Sequence, residues 1–242
     1  MLRHFVSGWV GALVLVAGVG CQKTPPEPAQ VGGAQAVVQQ GKPSEPTSKA
    51  LANLPTPAAN AGATVGLAAP AFELLDLDGK AVRLADFKGK VVVLEWFNPE
   101  CPFVRAAHTK GSLVNAAERL QKQGVVYLAI NSAASGKQGF GASVNRTGAE
   151  TFHISHPILL DETGAVGKTY GATNTPHVFV IDATGTLAYR GAVDNSPDGE
   201  GESPAGGKLV SYLEEAVASV LAGQPVKTPE TKAYGCSVKY GS

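Results

Sequence analysis

Cysteine is scarce in this chain of 242 residues: there are three, at positions 21, 101 and 236, and no two form a Cys-x-x-Cys pair. Their spacing suits no metal, so zinc and other bound ions find no ligand set, and no cofactor is expected. Charge of either sign is not in excess either. Twenty Lys and Arg balance twenty Asp and Glu, for a formal net charge of +0. A nucleic-acid partner, which needs a basic stripe, is therefore not expected. Internal repeats are absent. The length suits one domain of ordinary size with accessory segments better than two domains. A hydrophobic fraction of 44% suffices for one core.

The accessory segments stand at the N-terminus. Arg3 and His4 precede an apolar run from Phe5 to Val19, with small residues Gly18 and Gly20 just before Cys21. A basic start, a short apolar stretch and a small-residue exit mark a secretory signal. The Cys that follows at once resembles a bacterial lipoprotein box, although Gly18 stands where that box usually has Leu. The resemblance implies a signal over 1–21, lipidation of Cys21, and an exported protein held on the periplasmic or cell-surface side of a membrane by its acyl chains. Residues 22–64 are rich in Pro, Ala, Gln and Gly and poor in large apolar residues. Such a segment cannot bury enough surface to offset chain entropy and is expected to be a disordered tether. A domain over 65–225 and a C-terminal tail over 226–242 carrying Cys236 complete the expected organisation.

Within the domain, strand and helix patterns alternate. Asp78-Gly79 is a hairpin turn between two short apolar segments. Lys90 to Phe97, KVVVLEWF, is a continuous apolar run with one acid, the pattern of a strand buried on both faces. Pro102 suits the first turn of a helix, which places Cys101 at that helix's N-terminus. Gly111 is expected to interrupt the helix and Ser112 to cap its continuation, ended by Gly124. Strands are expected at Val125–Ile130, Pro157–Leu160, His177–Asp182 and Thr186–Arg190. A brief helix is expected at Ala165–Tyr170, and a loop from Ser132 to Gly148 with a short helix after it. The helical spacing of Leu209, Val210, Leu213, Ala216, Val217 and Val220 predicts the last helix. The pattern specifies an α/β fold: a central mixed sheet with helices on both faces.

A sulfur between a buried strand and a helix has chemical meaning. The helix N-terminus carries about +0.5 of partial charge and free N–H groups, which favour thiolate over thiol. Arg105, one turn on, is expected to add to this, and Trp96 and Asn98 to line the mouth of the site. The plainer alternative is that Cys101 is a small buried hydrophobe.

The segment VVVLEWFNPECPFV resembles the active-site strand and helix start of the thioredoxin superfamily, nearest its redoxin and alkyl-hydroperoxide-reductase/thiol-specific-antioxidant (peroxiredoxin-like) branch. Laid on that family's C-x-x-C-P-[FY]-V pattern, the second Cys falls on Cys101 and the first on Asn98, a departure that puts simple thioredoxin activity in doubt. Thr173-Asn174-Thr175-Pro176 resembles the superfamily's Thr–cis-Pro loop, which implies that Thr175 and Pro176 face Cys101 and shape a substrate site. The resemblance implies an antioxidant thiol oxidoreductase acting on a peroxide or a disulfide through Cys101, with an unknown reductant. A non-catalytic redoxin-like binding module and a copper-delivery protein are the alternatives.

Three further readings stay open. Cys236 is either the resolving partner of Cys101, half of a static disulfide, or an unrelated thiol. Glu95, an acid inside a buried strand, is either a proton acceptor for Cys101 or a paired structural group. The histidines, and Asp194 in its turn, are read as structural.

Overall fold

The computed structural model describes residues 62–202, 204 and 207–242. The expected signal, the lipidation site Cys21 and nearly all of the expected tether lie outside the described residues. In chain order the elements are β1 (Glu73–Asp76), β2 (Ala81–Arg83), a 3-10 turn (Leu84–Phe87), β3 (Val92–Trp96), α1 (Pro102–Thr109), α2 (Ala116–Gln121), β4 (Val126–Asn131), α3 (Ala142–Thr151), β5 (Ile158–Leu160), α4 (Ala165–Tyr170), β6 (Asn174–Thr175), β7 (His177–Ile181), β8 (Leu187–Gly191), α5 (Tyr212–Leu221) and β9 (Cys236–Ser237). Among the described residues no helix is long and apolar enough to cross a membrane.

Seven strands form one mixed sheet in the order β2-β1-β5-β4-β3-β7-β8. β3, β4 and β5 run parallel; β7 and β1 flank them antiparallel, and β8 and β2 pair antiparallel with β7 and β1 at the two edges. β3 lies inside the sheet between β4 and β7, every residue buried. The period-two alternation of a strand then sorts its side chains. Val92, Leu94 and Trp96 join Phe179, Ile181 and the α4 residue Tyr170 in one cluster. Val93 joins Val178, Val180, Ala107 of α1, Leu120 of α2 and Ala216 and Val217 of α5 in another. Each large apolar side chain so buried contributes about 1.5–3 kcal/mol. A third cluster at the end of the sheet gathers Phe97, Cys101, Val104, Ala129, Phe152 and Ile158.

Two local expectations differ from the structure. Ser112 caps nothing: its hydroxyl is buried and without a partner, and α2 starts at Ala116 after Asn115, which takes the left-handed conformation. The Ser132–Gly148 stretch already contains the start of α3 at Ala142, because Asn145 turns inward to Asn131 and to the carbonyls of Gly139 and Gly141. A polar helix whose key inward residue is an Asn leaves no apolar stripe to read. The expected C-terminal tail is packed on the domain. Its β9 pairs with β6 in a separate two-stranded sheet, Thr175 opposite Cys236 and Asn174 opposite Ser237.

Candidate active site

Cys101 is the N-cap of α1, with Pro102 at the first helical position as the sequence implied. Its surroundings are more enclosed than expected, since its exposure is 0%. Phe97, Val104, Ala129, Phe152 and Ile158 back the sulfur. On the other side stands the β6 loop, in which the Thr175–Pro176 bond is cis, and the Cys101 thiol donates to the Thr175 carbonyl at 3.1 Å. Cys101 is thus buried yet in contact with the loop that the resemblance put opposite it.

Cys236 reaches the same spot from the far end of the domain. It is half-buried where Cys101 is fully buried. The two thiols are held to opposite acidities. Burial pushes Cys101 up, but hydrogen bonds from the Cys236 thiol, from Thr175 and from the Val104 and Cys236 amides outweigh it and leave Cys101 below the ordinary thiol value. Cys236 is pushed up to about 11 by burial, by its hydrogen bond to Cys101 and by the charge of that neighbour. The Thr175 hydroxyl has no other partner and is free to donate to a thiolate. Because Pro102 has no N–H, the first free amides of α1 belong to Phe103 and Val104. The former favours the anion on Cys236 and the latter the anion on Cys101.

The tail is pinned on both sides of Cys236. Tyr234 donates its hydroxyl to Asp194 at 3.0 Å, and Asn174 donates its amide to the Gly235 carbonyl at 3.0 Å. Beyond the sulfur, Val238 N–H donates to the Thr173 carbonyl, Ala134 N–H donates to the Lys239 carbonyl, and the Tyr240 hydroxyl donates to the Ala172 carbonyl. Gly235 lies so close to the Thr175 carbonyl that a Cβ would sit 2.1 Å from its oxygen, and its φ of +104° disfavours any side chain. Asp194, expected as a turn residue, makes an Asx turn with the Ser196 amide and also anchors this tail. Asn174, Tyr234 and Gly235 were not singled out from sequence. The aromatic and glycine residues flanking Cys236 were the available signal, since such residues are out of place in a loose tail.

Three expected site residues are not brought to the sulfur. Trp96 belongs to the cluster on the opposite face of β3, its indole donating to Ser132 Oγ at 3.0 Å. Asn98, at the place of the missing first Cys, is committed elsewhere: its amide donates to the Gln138 carbonyl and its Oδ1 accepts from Glu100 N–H. Gly139, with φ +85°, passes so close that a Cβ would clash with that amide group. Arg105 is exposed and lies over the Phe152 ring at 5.6 Å, and is not among the groups that lower Cys101.

Glu95 is buried under the other end of α1. Its carboxylate accepts from His108 Nε2 and from the Tyr127 hydroxyl, each at 2.8 Å. Burial raises its pKa, but His108, His156 and Tyr127 bring it below the ordinary carboxylate value. Of its two sequence readings, the paired structural group fits. Among the described residues no cluster of three or more His, Cys, Asp or Glu is placed to hold a metal.

Comparison with known proteins is consistent with this geometry. The Redoxin family model matches residues 64–209. The thiol-disulfide oxidoreductase ResA of Geobacillus thermodenitrificans is 35% identical over 124 residues, 51% of this chain and 66% of that protein. The chloroplastic peroxiredoxin Q of Triticum aestivum is 28% identical over 131 residues, 51% of this chain and 57% of that protein. The chain thus spans somewhat less than two thirds of these curated relatives. Among solved structures, an uncharacterized conserved protein from Geobacillus kaustophilus is 31% identical, with TM-score 0.63, covering 74% of this chain and 93% of its own. A putative thiol:disulfide interchange protein DsbE from Chlorobium tepidum, 22% identical with TM-score 0.50, covers 66% of this chain and 99% of its own and shares the thioredoxin-like fold.

Proposed function

The chain belongs to the Redoxin family, and from that premise we propose that it is a thiol–disulfide oxidoreductase whose redox couple is Cys101 and Cys236. The observation that carries this reading is the register of β6 with β9, which sets Cys236 opposite Thr175, the residue whose carbonyl holds the Cys101 thiol. The tail thereby supplies a second sulfur where Asn98 has replaced the usual one. The opposed acidities divide the labour in the resting, reduced couple: Cys101 is the group that ionises, and Cys236 carries the shared proton and donates it toward Cys101. On oxidation the couple forms a disulfide. On reduction, departure of the stabilised Cys101 thiolate favours exchange, since a more acidic thiol leaves faster. Thr175 and Pro176 shape the site, with the Thr175 hydroxyl the donor to the anion.

The test is direct. Mild oxidation of the full chain should remove two hydrogens by intact mass, with Cys101 and Cys236 joined in one peptide pair. Cys101→Ser and Cys236→Ser should each lower exchange with a disulfide peptide by at least about a thousandfold. Unchanged exchange in Cys236→Ser defeats the couple. Peroxide reduction is the second reading and draws on the likeness to peroxiredoxin Q. It is disfavoured because Arg105, the cation nearest Cys101 along α1, is engaged over Phe152. The module without catalysis loses its main support, the missing first Cys, once Cys236 stands beside Cys101.

Export and anchoring through Cys21 complete the proposal, with 22–64 as tether. Cys21→Ala should shift the protein from the membrane to the soluble fraction on cell fractionation, and unchanged fractionation would remove the lipid anchor.

A further inference from the structure

Exchange between a protein disulfide and an outside thiol is an in-line displacement: the attacking sulfur approaches along the S–S axis, opposite the sulfur that leaves. Which sulfur of a couple meets the partner is therefore decided by which one faces open space. Here the two differ sharply. Cys101 has no exposed surface; Phe97, Val104 and Phe152 lie behind it and Thr175 and the tail in front. Cys236 is partly exposed and lies on a strand that pairs on one side only, with β6. The tail that covers Cys101 is fixed by hydrogen bonds on both sides of Cys236, through Tyr234 and Asn174 before it and Val238 and Lys239 after it. Nothing in this arrangement asks the tail to leave for exchange to occur.

We infer that Cys236, carried by the tail, is the sulfur that forms the mixed disulfide with the outside partner, an exposed cysteine pair of another polypeptide, and that Cys101 is the inner sulfur that leaves and returns. The inference rests on the redox couple proposed above and reverses the roles the sequence implied, in which Cys101 attacked and Cys236 resolved. In the oxidising direction, a partner thiolate attacks Cys236 Sγ. The Cys101–Cys236 bond breaks, and its electron pair leaves on Cys101. The partner's second thiol then attacks its own sulfur in the mixed disulfide, closing the partner's disulfide and releasing Cys236, which regains a proton. The partner has lost two electrons and the protein couple has gained them. In the reducing direction the steps run backwards: Cys236 passes its proton to the Cys101 thiolate and attacks the partner disulfide, the partner thiolate so released takes that proton from Cys101, and Cys101, once again the anion, attacks Cys236 and displaces the partner's other sulfur as thiolate. The lowered pKa of Cys101 agrees with its role as leaving group.

Single-cysteine variants separate the two sulfurs, with oxidised glutathione as the probe. In the full chain, Cys101→Ala should accept glutathione on Cys236 at least about tenfold faster than Cys236→Ala accepts it on Cys101, although the latter is the more acidic thiol. Adding Gly235→Ala to Cys236→Ala, which forces the tail away from the Thr175 carbonyl, should uncover Cys101 and raise its rate. Faster labelling of Cys101 than of Cys236 overturns the inference while leaving the couple intact. Failure of the unaltered protein to form the Cys101–Cys236 disulfide overturns both. Should a variant fold poorly, peptide mapping of the unaltered, oxidised protein quenched with acid during reduction by glutathione decides the matter: glutathione on Cys236 supports the inference, and glutathione on Cys101 refutes it.

Discussion

Helix α1 has an ionisable group buried at each end, and the two have been treated in opposite ways. Under its last turns, Glu95 has both oxygens occupied, by His108 and Tyr127, and its charge is answered inside the fold. At its first turn, the Cys101 sulfur has a carbonyl to donate to, a hydroxyl waiting without a partner, and a second thiol beside it. The first site is saturated and has one stable state. The second holds more hydrogen-bonding capacity than one protonation state can use, so it accommodates both thiol and thiolate. Buried charge alone therefore does not single out a candidate reactive group; incomplete satisfaction beside a second thiol is what sets Cys101 apart.

Three experiments press on this contrast. The largest effect is expected at the saturated end. His108→Ala leaves the Glu95 charge short of its main partner and should cost about 3–5 kcal/mol in urea unfolding, while the folded fraction keeps its thiol exchange rate. A variant that kept its stability and lost its exchange rate would instead place Glu95 in the chemistry. The next effect is a pH dependence. His156 and His177 are pushed down to about 4, in each case chiefly by burial. The unfolded chain takes up protons near the ordinary histidine value of about 6.5 that the fold refuses. Their contribution is thus fully present above that value and is lost as pH falls toward 4, on the order of a few kcal/mol together. Glu95, also depressed, adds loss in the same direction at lower pH. Unfolding free energies measured from pH 7 to pH 4 check the sign; stability that rises on acidification contradicts it. The smallest effect is expected at the Cys101 end. Tyr234→Phe removes one hydrogen bond to Asp194 and should cost about 1 kcal/mol or less. Amide exchange over residues 235–238 should nevertheless quicken, measured by mass spectrometry. Unchanged exchange there would mean that the remaining tail contacts hold Cys236 unaided.

Much of the frame was legible because it rests on local pattern. The apolar run at β3 could only be a strand buried on both faces, and Pro102 with the preceding turn placed Cys101 at a helix start. Six residues of the last helix region carried its spacing, and Ser211 caps it with a hydrogen bond from Glu214 N–H at 3.5 Å. The site was read less completely. That Cys101 and Cys236 meet depends on β6 pairing with β9, a two-residue ladder between segments far apart in sequence, which no periodicity announces. Trp96 was misplaced for a simpler reason: being next to Phe97 in a strand puts it on the opposite face. Asn98 and Arg105 were judged by nearness in sequence, whereas loop 138–139 and Phe152, which claim them, come from elsewhere in the chain.

The span between the two sulfurs, about 135 residues of chain, would give the proposed couple a property that a Cys-x-x-Cys pair lacks. Neighbouring cysteines can cross-link in an unfolded polypeptide as readily as in a folded one. Here the two meet only when the last strand has docked, so in the couple proposed above redox competence would arrive with completed folding and depart if the final residues were clipped. A bond across so wide a loop also restrains the denatured chain, by about 5 kcal/mol in the loop-entropy treatment. Each turn of the redox cycle would then alternately tighten and release the whole domain.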